Sequence, residues 1–239
     1  PIVVSIIIGI ISGVITGLII SKLKVPAFLA GLGLQLIIYG GNLLFMKKAP
    51  NNSQPLAGFK ESFTKFGTGS VAGVNYLIIV AFVVMIAVYI ILNMTTLGKN
   101  IYATGGNREA AKVAGINVFK IDMFVYILSG ALAALAGCML AARTGSANAT
   151  YAEGYEMDAI ASCIIGGASF TGGIGNVPGA FLGVIIFSVI SYGLTFVGLS
   201  SYWQNIEKGL IIIVAVALYM RKYCSDKKKM YQTNRGYVS

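Results

Sequence analysis

Histidine is absent from this chain of 239 residues, and charged residues are scarce. Without histidine, the sequence lacks the side chain that most often binds metals and acts as a general base. Only 11% of the residues are charged whereas 56% are hydrophobic, and a soluble domain normally has about twice that charged fraction. The three cysteines, Cys138, Cys163 and Cys224, lack the spacing of a disulfide framework or a zinc site. The composition therefore argues against a water-soluble globule and against a metal centre.

Long runs without charge are abundant instead, and the mean hydropathy is +0.80. A helix needs about 20 apolar residues to cross the ~30 Å hydrocarbon core of a bilayer. The runs predict an all-α fold, a polytopic transmembrane helix bundle over residues 1–220, followed by a basic tail over 221–239. The predicted membrane elements, about seven with one interrupted by glycines, are 2–20, 26–46, 76–95, 121–141, 157–172, 178–198 and 203–220.

The basic residues lie mostly beside the predicted spans, which indicates the orientation of the chain. If the tail is cytoplasmic, alternation of the spans also places 21–25, 96–120 and 173–177 inside, and these segments with the tail hold most of the lysines and arginines. The positive-inside rule favours this orientation. Membrane topology therefore accounts for the net charge of +10, and no nucleic-acid partner is expected.

Small residues recur at four-residue spacing in several predicted spans. The first span carries Gly9, Gly13 and Gly17, and the pairs Gly130/Ala134 and Gly179/Gly183 follow the same pattern. Residues four apart share one face of a helix, and small side chains there let another backbone approach closely. The pattern predicts close helix packing and does not indicate an activity.

The fifth predicted element is too short and too rich in glycine for an ordinary span. From Met157 to Thr171 a helix would rise only ~22 Å, and the glycines that follow disfavour a regular helix. Irregular backbone at membrane depth is tolerated only against protein or a water-filled cavity. Residues 164–177 are therefore either a broken helix that lines a translocation path or a cytoplasmic turn. The candidate path residues are Asp158, Ser162, Gly166, Gly167, Ser169, Thr171 and Asn176.

Asp158 is the most conspicuous carboxylate, and two roles are open for it. A charge at the middle of a bilayer is costly and marks a functional site by default. At the start of a helix, however, a carboxylate is stabilised by the helix dipole. Asp158 therefore has either a capping and structural role or a role in gating and sugar contact. Ser162, Ser169, Thr171 and Asn176 could likewise bind sugar hydroxyls or form interhelical hydrogen bonds.

The segment 96–120 predicts a short helix with caps at both ends. Asn107 suits the N-cap position, and Glu109 falls in the first turn, where the dipole favours a carboxylate. Gly115 suits a left-handed helix stop. Ala110 and Ala111 between them predict a shallow surface into which a partner fits closely.

These residues also carry a family resemblance. Glu109-Ala110-Ala111 followed by Gly115 resembles the EAA-x-x-x-G loop of ABC importer permeases, whose coupling helix docks on an ATP-binding subunit. The segments GKNIYATGGNREAAKVAGINV and YEMDAIASCIIGGASFTGGIGNVPGAFLG resemble the ribose/xylose/galactose permease family. A third, SYGLTFVGLSSYWQNIEKGLIIIVAVAL, is most similar to galactose/methyl-galactoside permeases. The ATPase-coupling residues that the resemblance implies are Gly105, Gly106, Asn107, Glu109, Ala110, Ala111 and Gly115.

The resemblance implies a permease subunit, not an enzyme, that imports a monosaccharide across the bacterial inner membrane. Its partners would be an ATP-binding subunit, a second permease copy, an extracytoplasmic sugar-binding protein and membrane lipid. ATP and magnesium would be used by the ATP-binding subunit, since Gly98-Lys99-Asn100 lacks the other residues of a Walker A loop. Family members usually have further N-terminal spans, so the chain is expected to be truncated.

Three alternatives remain open. A permease for branched-chain amino acids or nucleosides would use the same mechanism. An ion-driven secondary transporter should show paired intramembrane charges or inverted repeats, and the sequence offers only one marginal carboxylate and one broken element. A membrane enzyme is the weakest alternative, because no convincing nucleophile and base occur together.

Overall fold

The structure, a computed structural model, describes residues 1–48, 54–169, 171–198, 200, 202–203, 206, 208–211 and 213–214. The chain divides into two compact units, Pro1–Glu153 and a second that begins at Gly154. The described part of the chain is mainly helical, as the sequence predicts.

Five of the described helices are long and apolar enough to cross a membrane. They confirm five of the predicted spans, with ends that differ by up to three residues. The seventh predicted element, 203–220, and the tail lie largely or wholly outside the described residues. The five helices are α1 (Ile2–Leu23), α2 (Ala27–Lys48), α4 (Tyr76–Met94), α7 (Val118–Thr144) and α9 (Val177–Phe196).

Shorter elements connect these helices. The strands β1 and β4 form one antiparallel pair, and β2 and β3 form another. The helix α5, which the sequence does not predict, begins where the Thr95 hydroxyl accepts a hydrogen bond from the Gly98 N–H. The short elements are β1 (Leu56–Ala57), α3 (Glu61–Thr68), β2 (Ser70–Val71), β3 (Val74–Asn75), α5 (Thr96–Gly106), α6 (Arg108–Val113), β4 (Ser146–Ala147) and α8 (Tyr155–Ile165).

Glycines bring α1 and α7 into direct backbone contact. A Cβ atom added to Gly9 would collide with the Gly130 carbonyl oxygen, and one added to Gly13 would lie 2.8 Å from the Ile127 Cα atom. The small-residue faces of the two helices therefore pack against each other, which confirms the predicted close packing and adds the identity of the partners. A larger side chain in place of either glycine would overpack this contact, which typically costs about 1–3 kcal/mol.

The helices α1 and α7 run antiparallel, which defines two ends of the first unit. The Ser5 hydroxyl, near the start of α1, donates to the Ala134 carbonyl late in α7 (3.0 Å). The Ser21 hydroxyl, near the end of α1, donates to the Asp122 carboxylate early in α7 (3.3 Å). The end that carries Asp122 also carries α6, and the opposite end carries the last turns of α2 and α7.

In the second unit, α8 is a short helix. It has 11 residues and a rise of about 16 Å, which is about half of a hydrocarbon core. The predicted end at residue 172 is wrong, because the helix stops at Ile165. Gly166 donates to the Ser162 carbonyl (2.9 Å), and Gly167 then turns to a φ of 86°. Glycine adopts this left-handed conformation without a steric penalty, so the chain leaves the helix there.

Candidate functional site

The helix α6 is capped at its start as the sequence predicts. The Asn107 Oδ1 atom accepts hydrogen bonds from the N–H groups of Glu109 (3.1 Å) and Ala110 (3.0 Å). The N–H of Asn107 donates to the Ala103 carbonyl at the end of α5 (3.0 Å). Asn107 therefore ends one helix and begins the next, so it is the shared corner residue between α5 and α6. Gly105 and Gly106, the last two residues of α5, are exposed beside it.

The end of α6 also confirms the predicted stop. The N–H of Ile116 donates to the Ala111 carbonyl, and the N–H of Gly115 donates to the Lys112 carbonyl (both 3.0 Å). Gly115 has a φ of 81°. This pair of bonds around a left-handed glycine is the Schellman motif, which satisfies the last carbonyl groups of a helix. The caps at both ends hold a helix that is too short to be stable by itself.

The two alanines of α6 have different environments. Ala110 is exposed, whereas Ala111 is buried with 3% of its surface accessible. The predicted shallow surface formed by both alanines is therefore wrong. On a helix, adjacent residues point in different directions, so one alanine packs against the chain while the other faces outward. Within α6, Ala110 is the alanine that a partner can reach.

The exposed side of α6 carries an ion pair. Lys112 Nζ lies 2.7 Å from Glu109 Oε1, three residues earlier. The hydrogen bond from Lys112, followed by its positive charge, lowers the pKa of Glu109 below the ordinary value of 4.5. Glu109 therefore keeps its negative charge at neutral pH, on an exposed surface.

Asp122 joins α6 to two long helices, and the sequence analysis did not single it out. Its carboxylate pairs with the Arg108 guanidinium at the start of α6 and accepts the hydrogen bond from Ser21 on α1. The Asp122 side chain is only 13% exposed. An acidic residue just inside a predicted span is costly without partners, and this signal could have identified it.

A cleft of about 450 Å³ lies beside this ion pair. It is bounded by the turn after α1, by α6 and by the start of α7. Lys24, Arg108 and Lys112 supply positive charge, against the carboxylates of Glu109 and Asp122. The α6 end is therefore a charged, water-accessible surface, unlike the apolar middle of the helices.

In the second unit, Asp158 lies in the first turn of α8 and is paired with a lysine. Lys208 Nζ lies 2.8 Å from one Asp158 carboxylate oxygen and 3.0 Å from the other. Each side chain is about a quarter exposed: 25% for Asp158 and 21% for Lys208. Asp158 therefore has a charged partner that the sequence analysis did not identify. Residues 50 positions apart form the pair, and sequence spacing gives no sign of it.

The other candidate path residues fall into two groups. Ser162 is buried and donates to the Asp158 carbonyl (2.7 Å), and Gly166 lies against Gly179 of α9. Both residues belong to the contact between α8 and α9. The rest lie in the turn that follows α8, where the hydroxyls of Ser169 and Thr171 are 2.9 Å apart. The members of this turn are Gly167, Ser169, Thr171 and Asn176, the last at the N-cap of α9.

Comparison with known proteins assigns the chain to a family. The model of the branched-chain amino acid transport system / permease component family matches residues 1–216. No solved structure matches the chain significantly.

Three relatives illustrate the similarity. The galactose/methyl galactoside import permease protein MglC of Haemophilus influenzae is 44% identical over 87% of this chain and 63% of its own length. The ribose import permease protein RbsC of Escherichia coli is 40% identical over 85% of this chain and 63% of its own length. The corresponding protein of Bacillus subtilis is 36% identical over 85% of this chain and 62% of its own length. The chain thus spans under two thirds of the length of these relatives.

The matched region includes all of the helices α1 to α9. The apolar helices and the family together indicate a multi-pass membrane protein. The chain therefore belongs to the branched-chain amino acid transport system / permease component family.

Proposed function

We propose that this chain is the translocating subunit of an ATP-driven importer for a monosaccharide of the galactose or ribose type. Relatives at 44% and 40% identity are named as import permeases for these sugars. In this proposal a separate ATP-binding subunit uses ATP and magnesium, and this chain binds neither. A second permease copy and an extracytoplasmic sugar-binding protein complete the assembly in the inner membrane, and the C-terminus lies in the cytoplasm.

The observation that carries the proposal is the link from α6 to the long helices through Asp122. A displacement of α6 by a docked partner would act on Arg108, and through Asp122 on α1 and α7. A charge-assisted pair can transmit such a force because it is among the stronger polar contacts in proteins. The proposed ATPase contact consists of Gly105, Gly106, Asn107, Glu109, Ala110 and Gly115, with the buried Ala111 packed beneath it.

The second unit supports the proposal of a translocation path. A helix of half-membrane length followed by irregular backbone is tolerated only where it meets protein or a water-filled cavity. We place Gly167, Ser169, Thr171 and Asn176 beside the path. Ser162 and Gly166 would position the turn, and the Asp158–Lys208 pair would hold the start of α8.

The substitution Asp122→Asn tests the coupling role. The outer surface of α6 stays unchanged, so we expect the ATPase to co-purify as with the wild type. Because Arg108 loses its ionic partner, we expect ATP-dependent sugar uptake to fall about tenfold, within the usual range of coupling energies. The measurements are affinity co-purification and uptake of radiolabelled galactose and ribose by cells that carry the full chain and its transport partners.

A matched control is Glu61→Gln, which breaks the exposed Glu61–Lys65 pair on α3, away from α6. It should leave uptake and association unchanged. Uptake at the wild-type rate by Asp122→Asn would remove the coupling role of Asp122. Full uptake by vesicles without any ATPase would overturn the proposal as a whole and favour an ion-driven transporter.

The substrate class has a second candidate, because the family description names branched-chain amino acids. The uptake assay therefore includes radiolabelled leucine and a nucleoside beside the two sugars. Uptake of leucine with no uptake of either sugar would move the proposal to amino acids while leaving the coupling mechanism intact.

A further inference from the structure

The first unit contains a second cavity, of about 460 Å³, between α1, α2 and the segment 148–153 that follows β4. This volume lies within the roughly 300–1,000 Å³ of small-molecule sites. The cavity extends along α2 from Gly31 to Asn42, and residues from Ala149 to Glu153 line it from the end of the unit opposite α6. None of the residues predicted to line the path belongs to it.

One wall is a polar face on an otherwise apolar helix. Gln35, Tyr39 and Asn42 follow each other at spacings of four and three residues, which places them on one side of α2. Neither amide, nor the Tyr39 hydroxyl, forms a hydrogen bond within the part of the chain that the structure describes. Polar groups on a span are costly against lipid and normally face a bundle interior or water. This face therefore suits a polar occupant.

The opposite wall is a tight turn. The N–H of Ala149 donates to the Met46 sulfur (3.3 Å), which ties the turn to the end of α2. Ala152 adopts a left-handed φ of 64°, which is uncommon for a residue with a side chain. Tyr151 and Glu153 on either side of it both line the cavity. The Tyr151 hydroxyl is held by Ser146 at 3.0 Å, so its ring has a defined place.

We propose that this cavity is a transit site for a neutral polyhydroxylated ring, such as a monosaccharide. The amides of Gln35 and Asn42 each supply donors and an acceptor, and the Glu153 carboxylate accepts hydroxyl protons. Tyr39 and Tyr151 supply flat apolar faces that match the C–H face of a sugar ring. Glu153 carries the formal negative charge among the lining residues and repels anionic solutes. The inference rests on the proposed function and places a sugar contact at the end remote from the ATPase.

Cysteine protection tests occupancy directly. Asn42→Cys is introduced into the full chain together with Cys163→Ala and Cys224→Ala, while the buried Cys138 is kept. Membrane vesicles that hold the complete transport system are treated with a charged methanethiosulfonate. We expect excess galactose to slow labelling about threefold or more, because an occupied site is closed to the reagent. Galacturonate, the anionic analogue, should not slow it.

The matched control is Phe45→Cys, on the same helix but outside the cavity and 66% exposed. We expect neither galactose nor galacturonate to change the rate at which this cysteine is labelled. Equal slowing of both cysteines by galactose, or slowing of neither, would overturn the proposal. Protection by galacturonate as strong as that by galactose would overturn the restriction to neutral solutes.

Uptake kinetics separate this inference from the proposed function. Tyr39→Ala should raise the apparent KM for galactose about tenfold and change the galactose-to-ribose preference, as expected for a lost specificity contact. Phe45→Ala should change neither quantity. If Tyr39→Ala showed wild-type kinetics while Asp122→Asn lost uptake, the cavity site would be refuted but the proposed function would not. If the wild-type chain imported no sugar, the proposed function would be refuted instead.

Discussion

The α6 end of the first unit and the α8–α9 contact of the second unit join their helices in different ways. At the α6 end, Arg108 and Ser21 reach Asp122 through side chains, across a charged cleft. Between α8 and α9, the backbones meet at glycines: Cβ atoms on Gly166 and Gly183 would collide with Gly179 and Ser162. A side-chain link can lengthen or exchange partners while its helices move. A backbone contact cannot, because packed interiors tolerate little change in shape.

Side-chain size should therefore decide stability in the second unit, whereas charge should decide function at the α6 end. Small residues permit the close approach on which helix association in lipid depends. Charged pairs near the membrane surface contribute less to stability but respond to a partner's charge. The two regions therefore call for different substitutions.

The largest effect is expected for Gly183→Leu. The new side chain would collide with the Ser162 carbonyl and lie within 2.7 Å of the Gly166 nitrogen before any further atoms are added. We expect a loss of about 3 kcal/mol or more, at the upper end of overpacking, seen as a lower thermal midpoint and less protein in the membrane. Gly193→Leu is the control on the same helix, because a Cβ there meets nothing within 4 Å. Equal behaviour of the two variants would refute backbone contact.

The next effect runs against this contrast, because it concerns a charged pair in the second unit and not a glycine contact. Asp158→Asn leaves the partly buried Lys208 without its ionic partner. We expect a loss of about 1–3 kcal/mol, the usual cost of an unsatisfied polar group, measured as a shift in thermal midpoint. The exchanged variant Asp158→Lys with Lys208→Asp should recover part of this loss. A double variant no better than either single substitution would show that the pair itself does not stabilise the unit.

A smaller effect is expected for Asn107→Ala. The N–H groups of Glu109 and Ala110 would lose their acceptor, and the loss of such a cap costs about 1 kcal/mol. Because the shared corner between α5 and α6 would loosen, we expect reduced protection of the Ala110 amide in hydrogen exchange. Asn107→Asp keeps the acceptor and is the control. If exchange in both variants matched the wild type, the cap would not be what orders α6.

The smallest effect is a pH dependence at Glu109. Its pKa is lowered in the folded chain, so its interaction with Lys112 stabilises the fold above the ordinary value of 4.5 and is lost as the pH falls through the lowered value. We expect a slight fall in thermal midpoint over that range for the wild type. In Glu109→Gln this contribution should be absent. Because the pair is exposed, added salt should also weaken it. If the wild type and Glu109→Gln had the same pH profile, the Glu109–Lys112 pair would not be the source of this stability.

The capped helix α6 could be predicted from sequence because its determinants are local. Asn107 and Gly115 act on backbone groups within a few residues, so their chemistry alone predicts where the helix begins and ends. The long spans are equally local in origin, since length and apolar composition suffice. Helix α5 was missed because glycines and threonine over residues 96–106 disfavour a helix, and its contacts with α6 and α7 override that preference.

The amino-acid sequence alone predicts a chain of membrane helices, a capped α6 and an interruption by glycines after α8. These features follow from backbone chemistry and from transfer of apolar side chains out of water. The tertiary structure is needed to show that Asp122 pairs with Arg108 and Asp158 with Lys208. It is also needed to show that Gln35, Tyr39 and Asn42 share a cavity with Tyr151 and Glu153. These contacts depend on which helix faces pack together. A long-range contact of this kind leaves no periodic trace in a single sequence.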